Sequence, residues 1–233
     1  MTFTLQSVVP WGRSYEEYLC MFALSEQDLG RFILGCGDGP AGFNAVLNRR
    51  GGHVVSVDPL YRFGAAEIQR QIEQTFDTVL TQTRLNRHEF LWTFFADVEA
   101  LARARREAMQ MFINDYDGAR ARYRHGSLPA LDFEDDSFDL ALCSHFLFLY
   151  SEQFSAEFHV QSIQELCRVA GQARIFPLLE LGARDSRHLG AVIDQLTAEG
   201  YNCHIHTVDY EFQRGGNKML QVAKASAVTQ IAR

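Results

Sequence analysis

The chain has 233 residues, 47% hydrophobic and 22% charged, with a formal net charge of −7. Its size allows one substantial core, and its acidic balance excludes a broad nucleic-acid surface, which needs a dense Lys/Arg face. Five scattered cysteines without a Cys-x-x-Cys pair read as free thiols. No apolar run reaches the roughly 20 residues of a membrane span. The opening "MTFTLQSVVPWGRSYEEY" lacks the layout of a secretory leader, so a cytoplasmic location is expected.

In chain order, "SYEEYLCMFAL" (14–24) opens with Ser14 and places Glu17 three residues later, the signature of a capping box. "RFIL" (31–34) is a short buried strand, "PAGFNAVLNRR" (40–50) a helix with proline in its first turn, and "HVVSVDP" (53–59) a β-branched second strand. A helical stretch runs from about 65 to 117. "ARYRHGSL" and "SFDLALCSH" supply strands three and four, and "SAEFHVQSIQELCRVA" has helical periodicity. "QARIFPLLEL" is a fifth strand, after which Ser186 caps the helix "RHLGAVIDQLTAEG". "YNCHIHTVDYEF" and "NKMLQVAKA" form an antiparallel pair turning through Gly215-Gly216. The arginines of "LARARREAM" (101–109) and "ARARYRH" (119–125) are expected on solvated faces. With no repeat or linker, the chain reads as one domain over 1–233. The expected fold is α/β, doubly wound, with a mostly parallel seven-stranded sheet and a C-terminal antiparallel hairpin.

The segment "ILGCGDGP" carries the chemistry. Three alternating glycines, Gly35, Gly37 and Gly39, follow the first strand, where ligands of such sheets bind. Asp58 ends the second strand, placed to accept both hydroxyls of a ribose. A dinucleotide fingerprint wants Gly-x-Gly-x-x-Gly. Here Asp38 occupies the place of a pyrophosphate, and a carboxylate there favours a cationic ligand such as an amine or sulfonium.

"ILGCGDGP", "VVSVDP" and "GSLPALDFEDDSFDLALCS", spread over residues 30–225, resemble the motif succession of the class I S-adenosylmethionine (SAM)-dependent methyltransferases, a Rossmann-like fold. The resemblance implies SAM as cofactor. It also implies that Gly35, Cys36, Gly37, Asp38 and Gly39 lie under the methionine part and ribose, and that Asp58 binds the ribose hydroxyls. Pro59 and Leu60 would flank the adenine, Ser127 and Leu128 would meet its edge, and Ser144 or His145 would lie near the sulfonium. The chain departs from the family pattern at Ile33, where an acidic residue is common, and at Ser127, where aspartate is usual.

Roughly 60 residues separate strands two and three, where one helix is ordinary. Together with the N-terminal helix they predict a cap over about 1–29 and 65–118, enclosing a small substrate. Arg13 is placed to bind the methionine carboxylate with its planar fork, the alternative being an exposed arginine on a packing helix. Tyr18 and Phe22 stand at helical i, i+4 spacing, which also suits plain packing. "CSHFLFLYSEQF" directs His145, Phe146, Phe148 and Tyr150 at the transferred group. Its aromatic faces attract a sulfonium and exclude water. His145 is the acid/base candidate, a structural hydrogen bond being the plain alternative. Tyr18 and Phe146 complete the candidate reaction wall. His204 and His206 share a strand face without a third ligand nearby, so no metal is expected.

Two enzyme readings follow: methyl transfer to a small molecule, or internal displacement of methylthioadenosine from SAM to close azetidine-2-carboxylate. A nicotinamide-dinucleotide dehydrogenase and a SAM-binding protein without turnover rank behind them. The sequence leaves the acceptor and the oligomeric state open.

Overall fold

The computed structural model describes residues 9–225, so the first eight residues of the expected N-terminal cap, and of the opening segment read for a leader, lie outside the described residues. The capping box forms as expected: Glu17 N donates to Ser14 Oγ and Ser14 N to the Glu17 carboxylate, starting α1 (Tyr15–Met21). Ser25 and Asp28 repeat the device at the one-turn α2 (Glu26–Leu29), which the sequence reading omits. Next come β1 (Phe32–Cys36), α3 (Phe43–Arg49), β2 (His53–Val57), α4 (Ala65–Leu85) and α5 (Val98–Tyr116). They are followed by β3 (Tyr123–Arg124), β4 (Leu140–Ser144), α6 (Ala156–Val169), β5 (Ala173–Phe176), β6 (Leu179–Glu180) and β7 (Arg184–Asp185). The last elements are α7 (Leu189–Ala198), β8 (Tyr201–Thr207) and β9 (Lys218–Lys224).

Seven strands form one sheet in the order β3-β2-β1-β4-β5-β9-β8. The pairs β1–β2, β1–β4, β2–β3 and β4–β5 are parallel, whereas β9 runs antiparallel to both β5 and β8. The sheet is thus the expected α/β one, mostly parallel with an antiparallel C-terminal hairpin. Side-chain alternation splits β1 between the two layers. Ile33 packs with Tyr18, Phe43 and Leu47 of α1 and α3, while Leu34 and Cys36 pack with Ile163 and Leu166 of α6 and Val192 and Leu196 of α7. A third cluster, with Ile68, Phe76 and Leu80 of α4 and Val98, Met109 and Phe112 of α5, makes the cap. Strand order reverses at β1 and β4, which opens a crevice beyond their C-terminal ends.

The structure corrects several expected elements. The helix expected over 65–117 is two helices folded back on each other, with Arg84 beside Glu99 and Arg106 beside Asp77; Asp97 caps the second by accepting from Ala100 N at 2.7 Å. Helix α3 begins at Phe43, leaving Pro40 in the preceding turn. Strand β5 stops at Phe176, because Pro177 cannot donate to a ladder, and residues 179–180 pair with 184–185 instead. Ser186 is not the cap of α7: that place is held by His188, and Ser186 Oγ pairs with Ser151 Oγ at 2.7 Å. Strand β8 ends at Thr207 rather than 212. Beyond it Tyr210 turns into the core, and Phe212 stacks on Phe90 at 4.7 Å, so the hairpin connection spans 208–217. Arg105, expected in solvent, is fully buried.

Candidate functional site

The loop after β1 is built around Asp38. Its side chain folds back over Gly35, where a Cβ would lie 1.8 Å from Asp38 Oδ2. There Oδ1 accepts from the Tyr18 hydroxyl at 2.7 Å and Oδ2 from Ser56 Oγ at 2.6 Å. The reason for glycine at 35 is therefore this carboxylate and not a ligand. Gly37, with φ +70°, donates to Val57 O at 2.9 Å and faces the Phe146 side chain. Gly39, with φ +53°, has open space where a Cβ would stand. Gly12, which the sequence reading passed over, lets the N-terminal segment lie on this loop, since a Cβ there would meet Pro40 O at 2.1 Å.

Asp58 leaves the end of β2 and locks onto the same loop, accepting from Gly39 N at 2.9 Å and from Leu60 N at 2.7 Å. Each oxygen keeps further lone pairs, so the anchored carboxylate can still receive two hydroxyls. The Tyr61 hydroxyl donates to Gly39 O at 2.6 Å and closes the turn. Burial raises the Asp58 carboxyl above the usual range against these donors.

In front of the loop lies a cavity of about 400 Å³, lined by Arg13, Cys36, Gly37, Asp38, Gly39, Asp58, Pro59, Leu60, Ser127, Leu128, Ser144, His145 and Phe146. The structure thus brings thirteen of the fifteen sequence-predicted residues to one space. The exceptions are Gly35, beneath Asp38, and Tyr18. Tyr18 is fully buried and stacks on Phe43 at 4.5 Å; its hydroxyl is committed to Asp38, which corrects its expected place in the reaction wall. Residues 86–97 of the cap reach the cavity through Phe90, and the 208–217 connection reaches it through Tyr210 and Phe212. The sequence reading missed all three.

Arg13 and Tyr210 bring a cationic cluster to the cavity. Arg105 grips Glu17 through both guanidinium nitrogens, Nη2 at 2.6 Å from Oε1, and the Tyr210 hydroxyl donates to Oε1 at 2.7 Å. Burial pushes the Glu17 carboxyl up, but Arg105 more than offsets it and leaves the group below its usual range. Arg13 donates Nη1 to Trp11 O at 2.7 Å, while its Nε lies 3.9 Å from Glu17 and is buried without a hydrogen-bond partner. Burial, and then the Arg105 charge, bring Arg13 down to about 10. Two guanidinium groups share one carboxylate, so this cluster carries an excess positive charge at Arg13. The sequence signal for Arg105 was its spacing: it falls on the buried stripe Val98, Leu101, Ala102, Ala108, Met109, Phe112 of α5.

His145 stands at the end of β4 with φ +52°, a left-handed conformation unusual outside glycine. Its N–H donates to Phe176 O at 2.6 Å and its Nδ1 lies 3.0 Å from Ser144 Oγ. Burial, followed by the charges of Arg13 and Arg105, holds its imidazole well below the ordinary range. The His204 and His206 rings lie tilted to each other, 6.4 Å apart, and among the described residues no cluster of three or more His, Cys, Asp or Glu side chains forms. All five cysteines are free thiols, and no helix among the described residues is long and apolar enough to cross a membrane.

No protein-family model matches the chain. The uncharacterized protein MJ0045 of Methanocaldococcus jannaschii is 33% identical over 221 residues, which are 94% of this chain and 98% of that protein. Among solved structures, the magnesium protoporphyrin IX methyltransferase of Synechocystis PCC 6803 with bound SAM is 11% identical, with a TM-score of 0.45 over 86% of this chain and 73% of that one. A possible histamine N-methyltransferase of Thermotoga maritima is 11% identical, with a TM-score of 0.43 over 91% and 89%. The PH0226 protein of Pyrococcus horikoshii OT3 is 13% identical, with a TM-score of 0.44 over 84% and 82%.

Proposed function

The chain belongs to the family of the Methanocaldococcus jannaschii protein MJ0045, and we propose that it is a SAM-dependent methyltransferase acting on a small molecule. One observation carries this reading: a single cavity is lined by both Asp58 and Arg13, which suit the ribose and the carboxylate of SAM. Asp58, held by Gly39 N and Leu60 N, offers its spare lone pairs to ribose hydroxyls. Arg13, with its orphaned buried Nε and its excess charge, meets the methionine carboxylate. Pro59 and Leu60, after β2, and Ser127 and Leu128, after β3, line the cavity for the adenine. The open space at Gly39 admits the ribose close to the backbone.

Bound there, SAM supplies an electrophilic methyl group on a cationic sulfur. Phe146 and Tyr150 line the cavity beside His145 and keep water from it, and alignment in a dry space lowers the barrier to displacement. The anionic Asp38, one loop residue away, favours a cation over a diphosphate in front of Gly37 and Gly39. The cap helices and the 208–217 connection enclose the site, which restricts the acceptor to a small molecule.

A second reading is favoured by the volume. About 400 Å³ lies near the lower end of the ~300–1,000 Å³ of small-molecule sites, so SAM fills most of the space. That suits internal displacement of methylthioadenosine, in which SAM is the sole substrate. Incubation of the protein with SAM alone separates the two. Methylthioadenosine released without acceptor supports cyclisation, and a SAM pool left intact until a methyl acceptor is added supports transfer. Failure of SAM to bind at all refutes both.

A further inference from the structure

We propose that the methyl acceptor is a one-ring aromatic molecule, recognised by aromatic side chains on the β5–β9 side of the cavity, with Phe212 as the specificity-determining residue. The proposal rests on the methyl-transfer reading above. Strand order sets the layout. Asp58 and Leu60 follow β2 and Ser127 follows β3, so the adenosine half of the donor takes that side of β1 and β4. On the other side, Phe176 ends β5, and Phe212 belongs to the connection leading into β9, the next strand of the sheet. Three strand spacings of roughly 4.8 Å, about 14 Å in all, separate β2 from β5. A nucleoside moored at Asp58 therefore leaves the rings beyond β5 without a task.

Those rings are fixed by long-range contacts rather than by the sheet. Residues 89–91 of the cap and 212–214 of the connection pair as a short antiparallel bridge. Leu91 N donates to Phe212 O at 2.7 Å, Arg214 N donates to Glu89 O at 2.9 Å, and Phe90 is bridged with Gln213. The pairing sets the Phe212 ring nearly parallel to Phe90, 4.7 Å between centres, and nearly perpendicular to Trp92 at 5.5 Å and Phe95 at 5.6 Å. Gln213 Nε2 donates to Glu180 O at 3.0 Å, which ties the same turn to the β6–β7 hairpin. Held by three rings, Phe212 is still only half-buried and lines the cavity, so part of its surface is left for an occupant. Phe176 and Tyr210, whose rings stand nearly perpendicular at 5.7 Å, line the same space.

This lining selects a flat ring over an aliphatic one. Ring pairs gain from the fit of a negative face to a positive edge, and each well-oriented pair is worth roughly two- to tenfold in affinity beyond the area it buries. A saturated ring of the same size buries similar area and gains none of this. The Tyr210 hydroxyl is committed to Glu17 Oε1, so what Tyr210 offers the cavity is its ring. The donor fills most of the about 400 Å³, which leaves room for about a single ring. Because the bridge holds Phe212 in place before any ligand arrives, little ordering is required on binding.

The test compares two probes of one skeleton, phenol and cyclohexanol, on the full chain saturated with S-adenosylhomocysteine, with dissociation constants read by NMR chemical-shift titration. Saturation closes the adenosine side to the probes. Phenol is expected to bind about fivefold or more tightly than cyclohexanol. In Phe212→Leu the ratio is expected to fall by roughly two- to tenfold, toward one, whereas Phe212→Tyr keeps it. Equal affinities in the wild type, no binding of either probe, or an unchanged ratio in Phe212→Leu overturns the proposal. Should Phe212→Leu fail to fold, nuclear Overhauser contacts in the wild type decide: contacts between phenol and the Phe212 ring, assigned with Phe212→Tyr, are expected, and their absence overturns the slot. Titration with S-adenosylhomocysteine alone tests the donor reading separately. Binding without a preference for phenol defeats the aromatic acceptor alone, whereas absence of binding defeats the donor reading and the acceptor slot with it.

Discussion

Replacing Asp38 by asparagine keeps the size of the side chain, removes its charge and exchanges one accepting oxygen for a donating amide nitrogen. In the fold, burial pushes the Asp38 carboxyl up to about 6 from an ordinary 3.8, because the Ser56 and Tyr18 hydrogen bonds offset only part of the cost of burying the anion. The folded chain therefore holds this proton more tightly than the unfolded one. The associated stability is fully present below about pH 4 and is lost as pH rises through about 6. The separation between 3.8 and about 6 corresponds to roughly 3 kcal/mol at ~1.4 kcal/mol per pH unit. Urea unfolding of wild type and Asp38→Asn at several values between pH 4 and 7.5 reads it directly. Carboxylates held low in both proteins, such as Glu17, Asp28 and Glu165, cancel in the difference. The stability of the variant relative to wild type is expected to rise by roughly 2–2.5 kcal/mol from pH 4 to pH 7, since part of the change is already spent at pH 4. A difference that stays flat across that range refutes the placement of a strained anion under the loop.

Gly35→Ala puts a methyl group 1.8 Å from Asp38 Oδ2, so it is expected to expel the carboxylate from Tyr18 and Ser56 at a cost of about 1–3 kcal/mol in chemical unfolding. An unchanged midpoint contradicts the geometry. Arg105→Met removes the nearer of the two cations on the fully buried Glu17 charge and is expected to cost about 3–5 kcal/mol, part of it recovered when Glu17→Met is added; a double-mutant cycle showing simple additivity argues against the pair. Arg13→Ala is expected to erase a preference for SAM over its decarboxylated analogue, which the wild type should show at roughly tenfold or more. If the variant keeps the preference, another residue reads the carboxylate. Asp58→Asn should weaken S-adenosylhomocysteine by roughly tenfold or more in calorimetry, through the lost charge on the ribose hydroxyls; undiminished affinity places the ribose elsewhere.

Much of this arrangement was legible before the structure because it is local in the chain. The alternating glycines, the aspartate ending a β-branched run, and the capping box at Ser14 and Glu17 each form a short contiguous pattern in the chain. The sheet was legible too, since buried parallel strands such as "FILGC" and "LALCS" are nearly continuous apolar runs bounded by turns. What escaped was long-range pairing. Arg105 and Glu17 are 88 residues apart, and nothing near either announces the other, although each sits on the inward stripe of its helix. The place of Asp38 in the loop points to the ligand, and its contacts with Tyr18 and Ser56, far along the chain, are seen only in the fold. The break between α4 and α5 was missed because helical periodicity persists on both sides of it. The sequence extends β8 past Thr207 because Tyr210 and Phe212 continue an apparent alternation that packing against Phe94 and Phe90, not the sheet, uses.

The central claim, that the loop after β1 faces a cationic sulfur nucleoside, is tested most directly by calorimetric titration of the same protein with SAM and with NAD. The account predicts saturable one-to-one heat with SAM and none with NAD. Saturable binding of NAD, with no heat from SAM, contradicts it.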